Sequence, residues 1–326
     1  MKTKPKVVAD QPGVIVEEAR TLLESVASLR VPRSYDLPEL RSLLNDAKGV
    51  FSWGNVKLVD ALLTEASQLR VIGVVGVGCD HVDLGSATRN GIVVANGPGS
   101  NAEAVAEFAL LLILALARHL IPAQATIRAK QWVLAEEFTG LELKGAVLGL
   151  VGLGHIGRRV GELARGLGMA VFAYDPYVSK PSVETLGITL TDLHAAVSRA
   201  DVVSIHVPLS AETKGLIGEE EIGLMKPGAI LVNTARAPVV QEKALFDALQ
   251  SGRLSAAASD VFPKEPPDLS PPLYDLPNFF ATPHIASMTW SALKEMQLEA
   301  ARGIVAVLSG ERPRSVVNRD VLKGGG

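Results

Sequence analysis

The sequence predicts an α/β protein of two domains, one of them built on a doubly wound parallel sheet. Three observations carry that prediction. At 326 residues the chain exceeds the usual size of a single hydrophobic core. Short apolar runs alternate with helix-like stretches along most of its length. The stretch VLGLVGLGHIG, Val147 to Gly157, reads as an apolar strand, a glycine turn and the start of a helix.

Taken in order, the first part of the chain runs Lys6–Ala9 (strand), Glu17–Ser25 (helix), Leu29–Val31 (strand) and Leu37–Leu44 (helix). Gly49–Ser52, Leu58–Ala66, Arg70–Val75 and Ile92–Ala95 continue the alternation, which describes a small α/β domain. Its turn VVGVGCD, Val74 to Asp80, leaves a strand and offers bare backbone amides. Such a nest suits a carboxylate, and a tight turn with glycine at positive φ explains it equally well. A helix comes next, from about Asn101 to Arg118, Pro122 lies soon after, and a second helical stretch runs from Ala123 to Lys130. The domain crossing is expected in that connecting helix. Its segment FALLLILALA, Phe108 to Ala117, is too short to span a bilayer and is bracketed by Glu103, Glu107, Arg118 and His119. A buried or interface helix is the better reading.

After Gly157 the strands come regularly, at Ala170–Tyr174, Val202–Val207, Ala229–Asn233, Ala256–Ser259 and Phe279–Ala281. Helical patterns separate them, including Asp192–Ser198, Glu219–Met225 and Gln241–Leu249. In such a sheet ligands lie beyond the carboxyl ends of the strands. Within the glycine turn, Gly152 permits the bend, Gly154 lets backbone approach a pyrophosphate, and Gly157 lets helix and strand pack closely. Glycines also occur in ordinary turns, so the spacing alone is weak evidence. Asp175, ending the next strand, stands where an acid would bind a ribose 2′-hydroxyl, although a capping Asp is the plainer reading. No arginine follows closely to receive a 2′-phosphate, which favours NAD over NADP.

Composition narrows the partners. Lys and Arg number 32 against 35 Asp and Glu, without long runs of one sign, so neither nucleic acid nor an anionic membrane is indicated and a small molecule is expected. The one cysteine, Cys79, excludes an internal disulfide framework and a cysteine-rich metal site. The opening MKTKPKVVAD has no apolar core before Pro12 and is not read as a signal peptide, so a cytoplasmic location is expected.

The polar residues at strand ends are few and chemically matched. Arg236 follows AILVNTA, Asp260 follows AAAS, Glu265 lies in DVFPKEP, and His284 follows NFFATP. A guanidinium grips a carboxylate with two parallel donors, and a histidine beside a carboxylate exchanges a proton near neutral pH. Each taken singly is more often an ion-pair, capping or packing residue; their joint placement is what points to chemistry. Hydride transfer to a keto carbon needs such a proton donor. His206, before Pro208, is the competing histidine. His81, His119, His155 and His194 have no obvious charged partners, and no His/Asp/Glu cluster suggests a metal.

These motifs, in fixed order over nearly the whole chain, resemble the NAD-dependent D-2-hydroxyacid dehydrogenases. The resemblance rests on VVGVGCDHVD, NAEAVAEFALLLILAL, GLVGLGHIG, HVPLSAET, NTAR, DVFPKEP, TPHIA and VLSGERPRSVVN. It implies a Rossmann domain, residues 102–285, inserted into a smaller flavodoxin-like substrate domain, residues 1–101 and 286–326, with the active site in the cleft and a homodimer formed with the long apolar helix. It further implies that Arg236 binds the substrate carboxylate or carbonyl, His284 is the acid/base, and Glu265 orients and charges it. Asp260 would hold the nicotinamide carboxamide, and the amides of Val77 and Gly78 the substrate carboxylate. His206, Pro208 and Thr213 would line the adenosine and pyrophosphate side, with Asp175 on the ribose and His155, Ile156 and Thr234 among the cofactor contacts.

Two departures bear on substrate. The family usually has glycine after the arginine, whereas this chain has Ala237 and Pro238. The stretch FSWGN, Phe51 to Asn55, lacks the arginine expected where a phosphorylated hydroxy acid is recognised. Phe51, Trp53 and Trp290 are either apolar substrate contacts or core aromatics. The expected activity is reduction of a 2-keto acid to the D-2-hydroxy acid, or the reverse. The alternative is an NAD(H)-sensing, corepressor-like interaction protein on the same fold.

Overall fold

The computed structural model describes residues 4–33, 37–54 and 56–323, so Asn55 of the FSWGN stretch lies outside the described residues. The chain forms two compact units, Met1–Asn101 with Thr289–Gly326, and Ala102–Met288. The family resemblance implies a return to the first unit at Ala286; here the second unit runs to Met288, and the backbone N–H groups of Ile285 and Ala286 are bonded to Asp260 within it.

In the first unit, strands β1 (Lys6–Ala9), β2 (Ser28–Arg30), β3 (Ala47–Ser52), β4 (Val71–Val74) and β5 (Val93–Ala95) form one parallel sheet in the order β2-β1-β3-β4-β5. This is the flavodoxin-like order, with its switch point between β1 and β3. Helices α1 (Glu17–Val26), α2 (Leu37–Leu44), α3 (Asp60–Glu65) and α4 (Leu84–Arg89) alternate with the strands. A parallel sheet is covered on both faces, which is why its strands read as almost unbroken apolar runs. Val7, Ala9, Phe51 and Val71 pack with Leu23 of α1 and Ile304 of the C-terminal helix Trp290–Leu308. Val8, Val50, Ile72 and Val94 pack on the other face with Leu40, Leu62 and Ala87. The C-terminal helix lies so close to β4 that a Cβ on Gly73 would come within 2.5 Å of the Ala300 carbonyl oxygen, so only glycine fits there.

The second unit opens with α5 (Ala102–Ala117) and α6 (Leu120–Arg128). The sequence pattern starts α6 at Ala123, after Pro122. The structure starts it at Leu120, because a proline in the first turn removes an N–H that has no helical acceptor anyway. No single helix among the described residues is long and apolar enough to cross a membrane. Then come β6 (Val147–Val151), α7 (His155–Gly166), β7 (Ala170–Tyr174), α8 (Pro181–Glu184), β8 (Thr189–Leu190), α9 (Leu193–Ser198), β9 (Val202–Ile205), α10 (Glu219–Leu224), β10 (Ala229–Asn233), α11 (Glu242–Gln250), β11 (Leu254–Ser259) and β12 (Phe279–Ala281). All seven strands are parallel, in the order β12-β11-β10-β9-β6-β7-β8. That is the doubly wound Rossmann arrangement, reversing between β6 and β9. Residues alternate across it: Leu148, Leu150, Val202 and Val232 meet Leu112 of α5 and Val160 of α7, while Val151, Val203 and Leu231 meet Ile222 of α10 and Leu249 of α11.

The C-terminal tail is pinned to the first unit by one buried side chain. Asn318 accepts from the Val94 N–H at 2.9 Å and donates to the Ile92 carbonyl at 2.8 Å and the Thr88 hydroxyl at 3.1 Å. Replacing it with leucine strands these groups, and we expect Asn318→Leu to lower stability by about 2 kcal/mol in urea denaturation. An unchanged unfolding midpoint would contradict this role.

Candidate active site

The second unit places its polar side chains just past the carboxyl ends of strands whose interiors are sealed. After β10, Asn233 shapes the turn that carries Arg236: its Oδ1 accepts from the Ala235 N–H at 3.0 Å and its Nδ2 donates to the Arg236 carbonyl at 2.9 Å. Arg236 is half-buried and donates to the Ala235 carbonyl at 2.7 Å. Ala237 and Pro238 form with Val239 a short 3₁₀ turn whose Pro238 carbonyl accepts from the Gly215 N–H at 2.8 Å. Asn233 has no role in the strand-end pattern read above, although an Asn two residues before a turn amide is a recognisable Asx signal.

Past β11, Asp260 is 1% exposed and its carboxylate is fully engaged. Oδ1 accepts from the Thr282 hydroxyl at 2.6 Å and the Ile285 N–H at 2.9 Å, and Oδ2 accepts from the Ala286 N–H at 2.8 Å. Sealed from solvent and bonded three times within its own unit, it holds the turn after β12. That turn carries His284 at φ 55, in the left-handed region that non-glycine residues rarely adopt.

So held, His284 presents Nδ1 to both oxygens of Glu265, at 2.9 and 2.8 Å. Glu265 also accepts from the Phe262 N–H at 3.3 Å. Partial burial, the largest single influence, pushes the Glu265 carboxyl up. The His284 hydrogen bond and charge, the Phe262 N–H and the Arg236 charge together outweigh it and leave the carboxyl below its ordinary range. Because Nδ1 is taken, Nε2 is the ring nitrogen left to meet a reacting group.

His206 is the poorer candidate for proton transfer. Burial pushes its imidazole down to about 3, so it is neutral at physiological pH, with Nε2 2.8 Å from the Ser204 hydroxyl. Its Nδ1 is buried without a partner among the described residues, and so is the Thr234 hydroxyl. These two orphaned polar atoms come after β9 and β10, beside the point where strand order reverses. The glycine turn adds a cradle. Gly152 has φ 98, and a Cβ on Gly157 would lie 2.1 Å from the Gly152 carbonyl oxygen. Gly154, at the N-terminus of α7, has nothing within 4 Å of its Cβ position. The first-turn amides, His155 and Ile156 included, have no acceptor within the helix. Asp175 bridges the rim, accepting from the Leu153 N–H at 2.8 Å and the Tyr177 N–H at 2.9 Å. Open space at a helix N-terminus, flanked by an acid and two unsatisfied polar atoms, fits a dinucleotide.

The Thr213 hydroxyl is occupied within its loop, donating to the Pro208 carbonyl at 2.6 Å and accepting from the Ser210 N–H at 2.8 Å. Val77 and Gly78 belong to the first unit. Phe51 is fully buried and is a core residue, Trp53 packs edge-on against it with ring centres 6.3 Å apart, and Trp290 is 85% exposed. The structure also gathers a cluster that the sequence hid: ligand atoms of His194, Glu220 and Glu221 lie within 4.8 Å of one another on α9 and α10, with His194 Nε2 3.7 Å from a carboxylate oxygen of each glutamate.

Residues 110–286 match the family described as D-isomer specific 2-hydroxyacid dehydrogenase, NAD binding domain. A D-3-phosphoglycerate dehydrogenase of Methanocaldococcus jannaschii is 40% identical over 303 residues, 93% of this chain and 57% of that protein. A glyoxylate reductase of Thermofilum pendens is 39% identical over 329 residues, covering 98% of this chain and 96% of the relative. Thus the chain spans about half the length of the phosphoglycerate dehydrogenases it matches and nearly all of the glyoxylate reductase. Among solved structures, the D-lactate dehydrogenase from Aquifex aeolicus complexed with NAD and lactic acid superposes with a TM-score of 0.84 at 30% identity, covering 98% of both chains. The chain belongs to the D-isomer specific 2-hydroxyacid dehydrogenase family, and its second unit is that family's NAD binding domain. These relatives lend no support to the sensing-protein alternative.

The geometry makes two outcomes measurable. In Asp260→Asn, an amide NH₂ faces one of the three donors and the turn loosens; kcat should fall about 10²-fold, as expected for a displaced proton donor, with NADH affinity retained. Wild-type kcat would contradict the anchoring role. Because the folded Glu265 carboxyl titrates below its unfolded value, its pairing stabilises the fold above the ordinary carboxylate range and loses that effect as pH falls through the lowered value. The difference in urea midpoint between wild type and Glu265→Gln should therefore shrink as the pH is lowered; a constant difference argues against the pair.

Proposed function

We propose that this chain is an NAD(H)-dependent oxidoreductase that interconverts an unphosphorylated 2-keto acid and its D-2-hydroxy acid. The observation that carries this reading is the Glu265–His284 pair, with Arg236 close enough to act on its charge, in the same unit as the dinucleotide cradle.

When bound, the nicotinamide supplies and accepts the hydride. His284, fixed through Nδ1, gives the proton from Nε2 to the keto oxygen as negative charge develops there. Glu265 keeps the ring in the orientation that exposes Nε2 and stabilises its cationic form. Arg236 takes the substrate carboxylate or carbonyl through its planar fork. The Val77 and Gly78 amides take the carboxylate. Asp175 accepts from the ribose hydroxyls and repels a 2′-phosphate.

An unphosphorylated acid is favoured because Trp53 and Gly54 follow β3 where an arginine is expected for a phosphate, and because Asp10 stands with its carboxylate buried next to them. We further propose that two copies associate through Leu111, Leu120, Ile127, Trp132 and Leu134, apolar side chains that a lone chain leaves exposed. Sedimentation equilibrium reads that directly: a single-chain mass at micromolar concentration removes it.

The test is NADH oxidation with glyoxylate, an aromatic 2-keto acid and a phosphorylated 2-keto acid, repeated with His284→Ala. Turnover is expected with an unphosphorylated acid, and His284→Ala should lower kcat by about 10²- to 10⁴-fold with little change in NADH binding. Turnover with the phosphorylated acid alone would overturn the substrate class, and an undiminished variant would overturn the mechanism.

A further inference from the structure

The first unit carries a buried polar array that the proposed chemistry does not use. It sits where the strand order of that unit reverses, between β1 and β3. Asp10, just after β1, is 1% exposed, and Ser52, the last residue of β3, is fully buried. The Ser52 hydroxyl donates to Asp10 Oδ2 at 2.6 Å, and the Trp53 N–H donates to both Asp10 oxygens, at 3.0 and 3.1 Å. Ser52 Oγ lies 2.9 Å from His81 Nε2. A hydroxyl has one proton. With that proton given to Asp10, the contact to His81 requires Nε2–H as the donor, so the array is a directed chain from His81 through Ser52 to Asp10. Burying a carboxylate is costly, and apolar residues of similar volume would fill the space at less cost, so an array of this kind calls for a role.

The role is visible in what Ser52 holds. Its carbonyl accepts from the Val75 N–H at 2.7 Å while its hydroxyl meets His81, so one residue fastens both ends of the turn from 75 to 81. Between those ends Gly76 takes φ 118, the Gly97 N–H donates to the Gly76 carbonyl at 2.9 Å, and Asn96 Nδ2 donates to the Val77 carbonyl at 2.8 Å. The carbonyls of the turn are thereby tied back. The N–H groups of Val77 and Gly78 are left without an acceptor among the described residues.

We propose that Asp10, Ser52 and His81 form a positioning array that presets the Val77 and Gly78 amides for the carboxylate of the substrate. This rests on the 2-keto acid reading above. The array acts on substrate affinity and not on proton transfer, since His284 and Glu265 belong to the other unit.

The test compares Ser52→Ala with Ser52→Thr, and His81→Leu with His81→Gln, whose amide restores a donor near the Nε2 position. For a 2-keto acid that the wild type reduces, Ser52→Ala and His81→Leu should each raise KM about tenfold, the loss of one buried hydrogen bond, with kcat nearly unchanged. Ser52→Thr and His81→Gln should stay near wild type, and NADH affinity should be the same in all four. A wild-type KM in both disrupting variants, or a parallel loss of kcat and NADH binding, would overturn the proposal. Oxamate, an unreactive isostere of a 2-keto acid, supplies a readout independent of turnover. It should shift the amide resonances of Val77 and Gly78, with about tenfold weaker binding in Ser52→Ala. If the wild type reduces no 2-keto acid, the activity reading fails, and the array still stands or falls on whether oxamate moves those two amides.

Discussion

The chemistry of the second unit depends on one sealed carboxylate. Asp260 is 1% exposed and takes three donors, all from the segment between Thr282 and Ala286. A left-handed backbone at His284 costs on the order of 1–3 kcal/mol. Hydrogen bonds to a charged acceptor contribute about 1.5–3 kcal/mol each, so the three offset that strain readily. What the strain secures is direction: Nδ1 turned toward Glu265, and Nε2 left over. Remove the anchor and the same residues remain, without the geometry on which the proposed acid and its partner depend.

The same arrangement recurs because the fold leaves no other place for it. Parallel sheets covered on both faces have apolar interiors, so polar groups gather where the strands end. Arg236, His206 and Asp260 come after β10, β9 and β11 in the second unit, and Asp10 and Ser52 stand at the ends of β1 and β3 in the first. In each unit a buried Asp fixes a segment that carries more exposed functional atoms. Asp260 does so through backbone N–H groups, and Asp10 through the proton of a serine hydroxyl.

Much of the fold was legible because its signals are local. Apolar runs bounded by turns marked strands such as Lys6–Ala9 and Ala170–Tyr174 to the residue, and the glycine spacing marked the turn into α7. The two-residue β8 and the single-turn α8, with weak local signals, were missed, and so was the C-terminal helix, although its Thr289 cap and apolar spacing at Ala292, Met296 and Ala300 were there to be read. Candidate site residues stood out where their type was unusual at a strand end. Their tasks did not. Nothing in DVF says that Asp260 is closed to solvent, and nothing in TPHIA says that His284 has positive φ. Thr213, a cofactor contact by the resemblance, has its hydroxyl bonded inside its own loop. Ser52 and His81 are 29 positions apart and meet only because β3 and the turn after β4 are neighbours in the sheet.

The most direct measurement of the central claim is amide hydrogen exchange at Ile285 and Ala286 in the intact protein. Both N–H groups lie in a turn with no helix or strand to protect them, so the Asp260 carboxylate is their acceptor. Exchange at least about a hundredfold slower than in an unstructured chain is expected, in step with the protection of β11 and β12. Exchange at the rate of an open loop would mean that Asp260 does not hold the turn, and that the orientation of His284 has another origin.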